Sequence, residues 1–527
     1  MISKYQAQKQ VVQYWIYFGS LALLMISLPT SRFMMTLSLV FLIANWLFAG
    51  GLKTKFRTFL SSKPAVAFTL IYVLNIIGLI WTKDFHFALQ NDLLHKLPTL
   101  FLPIIVISSP RLSPKRVNLL FSLFIASVFV VTLMGLFVRG FNQGAGFREA
   151  SPFVPNVYFC MMLIVAAFQL PSLVKIKGTS TRIKLLSIVL SLWFVFYIFF
   201  MRSLSGIVAF LGVLVLVIIK SKYRQLKLTF LALFILLSGF FTWLFVDMYS
   251  ITHTEVAASS PLPTHTVNGN MYSHDTTHIL RENGNLVYIN IAQDELARQW
   301  NKVSALDFYG ADNANHALRH TLYRYMASKG LAKDSLGFSS LGQPDISAIE
   351  DGVPNYLYTK WPGVFIRVHQ TTMGLYMYKK SGYSQPSWST LTERLDLWRS
   401  SYIAFKHKPL LGWGTGSIHV AQDFGLAKAQ SALKGKGMKP HSQYLYILLT
   451  LGVLGLLAHI VLYGYFVKES RVYKLFMFNA FFITFAINFI ANNSIESQVG
   501  QNMFVLFSLL YWIKSSKPIH DTNYSIP

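Results

Sequence analysis

The chain has 527 residues, of which 53% are hydrophobic and only 13% charged, too apolar for a water-soluble protein of this length. Apolar runs of about 20 residues, enough to cross a bilayer, recur from Val11 to Ile513 without alternating, which excludes a barrel of alternating strands of about ten residues. The formal charge of +26 would suggest nucleic acid in a soluble protein, but most of these cations lie in short loops between apolar runs, where they set topology. No nucleic-acid partner is expected.

The runs predict an all-α polytopic membrane protein with spans near 11–29, 33–51, 64–82, 97–109, 116–138, 153–173, 183–201, 204–220, 227–247, 442–467, 472–491 and 498–515. The first run lacks a small-residue cleavage site and is read as a retained span. The fourth contains Pro98 and Pro103, so a broken or tilted helix is expected there. Only MRSL separates the seventh from the eighth, so one kinked helix is the alternative. The single cysteine, Cys160, lies inside a span, and no intramolecular disulfide can form.

Loop charges test this map. Alternate loops concentrate basic residues, among them Lys53, Lys55 and Arg57; Lys175, Lys177, Arg182 and Lys184; and Lys220, Lys222, Arg224 and Lys227. The short loops of the other side hold only Arg32, Lys83, Lys96, Arg139, Arg148 and Arg202. The bias toward basic cytoplasmic loops then puts both termini inside, with about twelve spans and one large insert outside. The domains expected are a nine-span bundle over 1–247, a mixed but mainly helical periplasmic insert over 248–440, three more spans over 441–515, and a cytoplasmic tail over 516–527.

Within the insert, NLVYINI reads as a short strand, and Asp294 to Lys302 and Ala317 to Lys329 read as helices. A further helix follows Ser389. Thr390 and Glu393 fit a capping box. Leu391, Leu395, Trp398, Tyr402 and Phe405 recur at helical spacing, and Pro409 stops it. This helix carries Arg394 and Arg399, which point in different directions. After it, Gly412, Gly414 and Gly416 form either a nest of backbone N–H groups for an anion or a plain turn. His441 then opens the tenth span. A helix N-terminus disfavours positive charge, which suits a neutral imidazole able to act as a base; the alternative is a capping histidine.

Other candidates are fewer. Arg202, in FFMRSLSGIVAF, is either a functional cation at membrane depth or a side chain reaching the headgroups. Arg148 and Asn156, in GFREASPFVPNVYF, lie where the sixth span begins on the external side. Glu496, in NNSIESQVG, stands out because acids outside the insert are few. His253, His265, His274 and His278 lack a ligand pattern, and no metal site is expected.

The segments RLDLWRSSYIAFKHKPLLGWGTGS and HSQYLYILLTLGVLGLL, together with Arg202-Ser203 and Ser205-Gly206 at a span boundary, resemble the O-antigen ligase and polymerase superfamily of bacterial envelope glycosyltransferases. So does the layout, with one large insert before the last few spans. The resemblance implies a metal-independent transferase of the GT-C type, without cofactor, in the bacterial inner membrane. Its donor would be a glycan on undecaprenyl pyrophosphate and its acceptor a lipid A core oligosaccharide at the periplasmic face, with membrane lipid around both. It implies catalytic roles for Arg202, Arg394 and His441, and substrate contacts for Arg148, Asn156, Arg399, Ser203 and Glu496. A polymerase using the same donor, or a transporter of the lipid-linked glycan, is the alternative function.

Overall fold

The structure is a computed structural model, and it describes residues 2–141, 150–174, 180–257, 261–361, 363–386 and 389–516. Of the described residues 73% are helical, with almost no strand among them. The helices of ten or more residues are α1 (Ile2–Ser27), α2 (Arg32–Phe48), α3 (Leu52–Ser61), α4 (Lys63–Ile77), α5 (Leu94–Ser108), α6 (Pro114–Phe141), α7 (Asn156–Val174), α8 (Thr181–Phe200), α9 (Leu204–Lys220), α10 (Arg224–His253), α11 (Gln293–Val303), α12 (Leu318–Ser328), α13 (Gly363–Lys380), α14 (Thr390–His407), α15 (Ile418–Lys428), α16 (Gln443–Ser470), α17 (Phe476–Ala491) and α18 (Gln498–Ser515).

Among the described residues, seven helices are long and apolar enough to cross a membrane, up to eight if α2 and α3, bent by 112° at Gly50-Gly51, count as one span. This is a multi-pass membrane protein. Other expected crossings fall on shorter helices. α9 has 17 residues and α17 has 16, which at about 1.5 Å per residue falls short of a bilayer core. The seventh and eighth runs are separate helices, because Met201 and Arg202 turn the chain between them.

The chain divides into two compact units. One takes in Met1–Phe141, Ala145–Phe234 and Leu397–Pro527; the other is built on Ile235–Asp396. In the first, aromatic rings fill the interior: Phe121, Phe124, Phe481, Phe507 and Tyr511 are buried and pack edge-to-face or offset, the geometries that ring quadrupoles favour. The second is a small helical body around Trp300, Phe308, Leu322, Met326 and Ile349. There Arg324 Nε donates to the buried Glu282 carboxylate at 2.7 Å, and Asn355 donates to its other oxygen at 2.8 Å.

The predicted helices over 294–302 and 317–329 appear as α11 and α12, each within one residue at either end. The predicted strand shrinks to Asn285–Leu286, paired antiparallel with Arg281–Glu282. Asn290, at φ 54°, breaks the extended run. α14 starts at Thr390 as expected, but its cap is Ser389, whose Oγ accepts the Thr392 N–H at 3.2 Å. Thr390 sits one position inside the helix, and its hydroxyl accepts from Arg367.

α16 carries the largest local surprise. Gly452, at φ 68° and ψ −168°, breaks it, a conformation essentially reserved for glycine. In an apolar bundle, backbone groups freed by a break must find partners within the protein. They do. Trp413 and Gly414 donate their N–H groups to the Leu449 and Thr450 carbonyls at 2.7 and 2.9 Å, while Val453 and Leu454 donate to Pro409 and Leu410 at 2.9 and 3.2 Å. The segment 409–414 therefore clasps the broken helix, supplying both the N–H donors and the carbonyl acceptors that the adjoining turns would in an intact one.

Candidate active site

The clasp decides between the two readings of the glycine-rich turn. Gly412, Gly414 and Gly416 have φ of 70°, 98° and 90°, so the turn needs glycine. Space needs it as well: a Cβ on Gly414 would lie 2.5 Å from Thr82 Cα. The N–H groups of residues 413–416 are spoken for. Besides those on Leu449 and Thr450, Thr415 donates to the Gly78 carbonyl at 3.0 Å and Gly416 to Asp92 Oδ2 at 2.9 Å. The turn is structural, and the anion nest is set aside.

Arg202 and His441 share an uncommon local design. Both are half-buried and both hold positive φ, 52° and 48°. For a side chain with a Cβ that conformation costs about 1–2 kcal/mol. It persists where the surroundings fix it, and it concentrates at functional sites. Each is followed by a serine at the N-cap position of a helix: Ser203 before α9, with its Oγ accepting the Gly206 N–H, and Ser442 before α16, whose hydroxyl makes no cap bond. Glu496-Ser497 repeats the pairing before α18, where Ser497 accepts the Gly500 N–H. An ionisable residue, a serine, then an apolar helix is a signal that sequence reading had available and did not use.

Packing gathers these helix starts. Cys160, one turn beyond Asn156 on α7, has its sulfur 4.0 Å from Met201 and stands 2.9 Å from where a Cβ on Gly206 would be. Tyr158 lies 3.0 Å from the corresponding point on Gly500. Gln443 donates to Glu496 at 2.7 Å, and Ser442 Oγ donates to the Phe489 carbonyl at 3.2 Å. The N-termini of α7, α9, α16 and α18 thus meet at one end of the first unit, bringing Asn156, Arg202, Ser203, His441 and Glu496 to one region. Each helix start contributes about half a positive charge.

Arg394 belongs to the second unit and is half-buried on α14. It sits one turn from Thr390, to which Arg367 Nη2 of α13 donates at 2.8 Å. Burial and the neighbouring Arg367 push the Arg394 guanidinium below its ordinary value, opposed by Glu393. The guanidinium groups of Arg367 on α13 and Arg394 on α14 are thus neighbours, and such planar forks match phosphate oxygens. Sequence reading missed Arg367, because VFIRVHQ carries no distinguishing spacing. Arg399 is exposed, five positions on. Arg148 lies outside the described residues.

Two expectations change with burial. Lys96, read as a loop cation, is 7% exposed inside α5, and Glu496 is 8% exposed. Lys96 Nζ lies 2.8 Å from Glu496 Oε2 and donates to Asn75 Oδ1 at 3.0 Å. Asp92, also buried, accepts from Tyr446 at 2.6 Å. QNDLLHKLP placed an acid and a base four apart among apolar residues, which was the available signal.

A multi-pass helical membrane protein with ionisable residues set at converging helix starts is the class that these observations define. Residues 352–460 match the family model described as O-antigen ligase. The matched segment contains Arg367, Arg394, the glycine clasp and His441, and it supports the resemblance to the O-antigen ligase and polymerase superfamily and an enzymatic role of that general kind. No curated protein matches the chain.

Proposed function

We propose that this protein is an O-antigen ligase, transferring a glycan from undecaprenyl pyrophosphate to a lipid A core sugar at the periplasmic face of the inner membrane. The observation that carries the reading is the O-antigen ligase match over 352–460, which spans both Arg394 and His441. In this proposal about twelve crossings, with both termini in the cytoplasm, set the insert and the helix starts at Asn156, Leu204, Gln443 and Gln498 on the periplasmic side.

The residue types suit the chemistry. An acceptor hydroxyl attacks the anomeric carbon of the donor sugar from the face opposite the diphosphate. The bond from that carbon to the diphosphate oxygen breaks, and a glycosidic bond of inverted configuration forms. Negative charge builds on the departing oxygen. Arg202 and Arg394, assisted by Arg367, neutralise it with groups that stay charged at any relevant pH. His441, neutral beside its helix N-terminus, takes the acceptor proton. No divalent cation takes part in this scheme. Asn156, Ser203, Arg148 and Arg399 contribute substrate contacts.

The acceptor separates this reading from its relatives. Cells lacking the protein are expected to keep long lipid-linked glycan and to lose it from lipopolysaccharide. Cells left with single repeats on the lipid would identify a polymerase instead. Purified protein that moves labelled lipid-glycan across vesicles without ever transferring it would identify a transporter.

A further inference from the structure

We infer that the buried Lys96–Glu496 ion pair positions His441, acting through Gln443. The inference rests on the proposed transfer reaction, since it gives the pair a task within it.

Glu496 faces inward, and its carboxylate is used. Oε2 meets Lys96 Nζ at 2.8 Å and Oε1 accepts from Gln443 Nε2 at 2.7 Å. Burying such a pair is a poor route to stability, because the desolvation of two charges offsets their attraction and apolar side chains of similar volume often do as well. The pair therefore calls for another role, and its partners indicate one. Gln443 is 1% exposed, and its amide is held at both ends: the nitrogen by Glu496, the oxygen by the Ile495 N–H at 3.2 Å. Ser442, 4% exposed, is tied to the Phe489 carbonyl. Both residues that follow His441 are thus fixed.

The first turn of α16 has a second anchor. Tyr446, three residues past Gln443, donates to Asp92, and Lys96 Nζ lies 5.4 Å from the centre of its ring. Two buried carboxylates on separate segments accept from one helical turn, and hydrogen bonds to an ionised acceptor are the stronger kind. His441 sits at the start of this turn at φ 48°, where it stays only if its flanks are over-determined. Lys96 holds the Glu496 carboxylate in its aim; Glu496 keeps Gln443, and so the backbone at His441, in place.

The test separates the hydrogen-bond acceptor from the charge. Lys96→Met/Glu496→Gln and Lys96→Met/Glu496→Met both remove the ion pair, but only the first leaves an oxygen for Gln443. With purified full-length protein, kcat of the second should fall at least about tenfold below the first, since sub-ångström misplacement of a base is costly, with donor KM and unfolding midpoint alike in the two. Gln443→Leu, which leaves the pair intact, should lose kcat to a similar degree and decides the matter alone if either double variant does not fold. Equal kcat in the two double variants, or parental kcat in Gln443→Leu, would overturn the inference. His441→Ala is run alongside. If it is inactive while Gln443→Leu matches the parent, only the positioning role falls; if His441→Ala transfers glycan at the parental rate, the transfer mechanism itself falls.

Discussion

At the scale of single residues, the proposed chemistry depends on two side chains held in a conformation that most residues avoid. Arg202 and His441 both sit at positive φ just ahead of a serine at a helix N-cap position. The sequence pointed to both, through a cation at a span boundary and an imidazole at a span start. It could not reveal the backbone state, which depends on packing by segments far away in the chain. Lys96 went the other way. Its position before an apolar run made it look like a loop cation, yet its partners Asn75 and Glu496 come from two distant segments. His441→Ala is expected to lower kcat by at least about a hundredfold, the usual contribution of a general base, with little change in donor KM. Arg394→Lys is expected to raise donor KM and lower kcat together, because an ammonium does not reproduce the guanidinium fork. Steady-state kinetics on the purified variants checks both.

At the scale of elements, the broken α16 and its clasp hold the region in shape. GVLGLL reads as unbroken helix, and nothing local marks Gly452 as the break, whereas the turn that clasps it was visible from its three glycines. Gly452→Ala would force a side chain into the Leu410 carbonyl and into a backbone region that costs about 1–3 kcal/mol by itself. A lowered thermal unfolding midpoint is the expected result; an unchanged one would mean that the break can close into regular helix. The second unit has its own pH response. His369 is fully buried, and burial, reinforced by the charge of Arg324, lowers its pKa from 6.5 to about 4. Below pH 6.5 the unfolded chain binds a proton that the folded unit refuses, so this contribution is complete above pH 6.5 and is lost as the pH falls toward 4. The midpoint of the full chain should drop across that window, and His369→Phe should flatten the drop.

At the scale of the whole molecule, the class, a multi-pass helical membrane protein, was the most legible feature, since composition and run length report directly on the solvent a segment prefers. The count of crossings was less so, because several apolar runs form helices of only 15 to 18 residues. The lone cysteine makes topology easy to test, as Cys160 is 1% exposed and gives little background. With both termini inside, Lys436→Cys should react with a membrane-impermeant maleimide added outside intact spheroplasts, while Lys53→Cys and Lys222→Cys should react only after permeabilisation. The reverse pattern would place the site on the wrong side for a periplasmic acceptor. The most direct test of the central claim is a transfer assay with purified protein, lipid-linked glycan and lipid A core acceptor in EDTA. Glycan is expected on the acceptor at the rate seen without chelator, and none with His441→Ala or Arg394→Ala. Loss of transfer in EDTA, or full transfer by both variants, would contradict that claim.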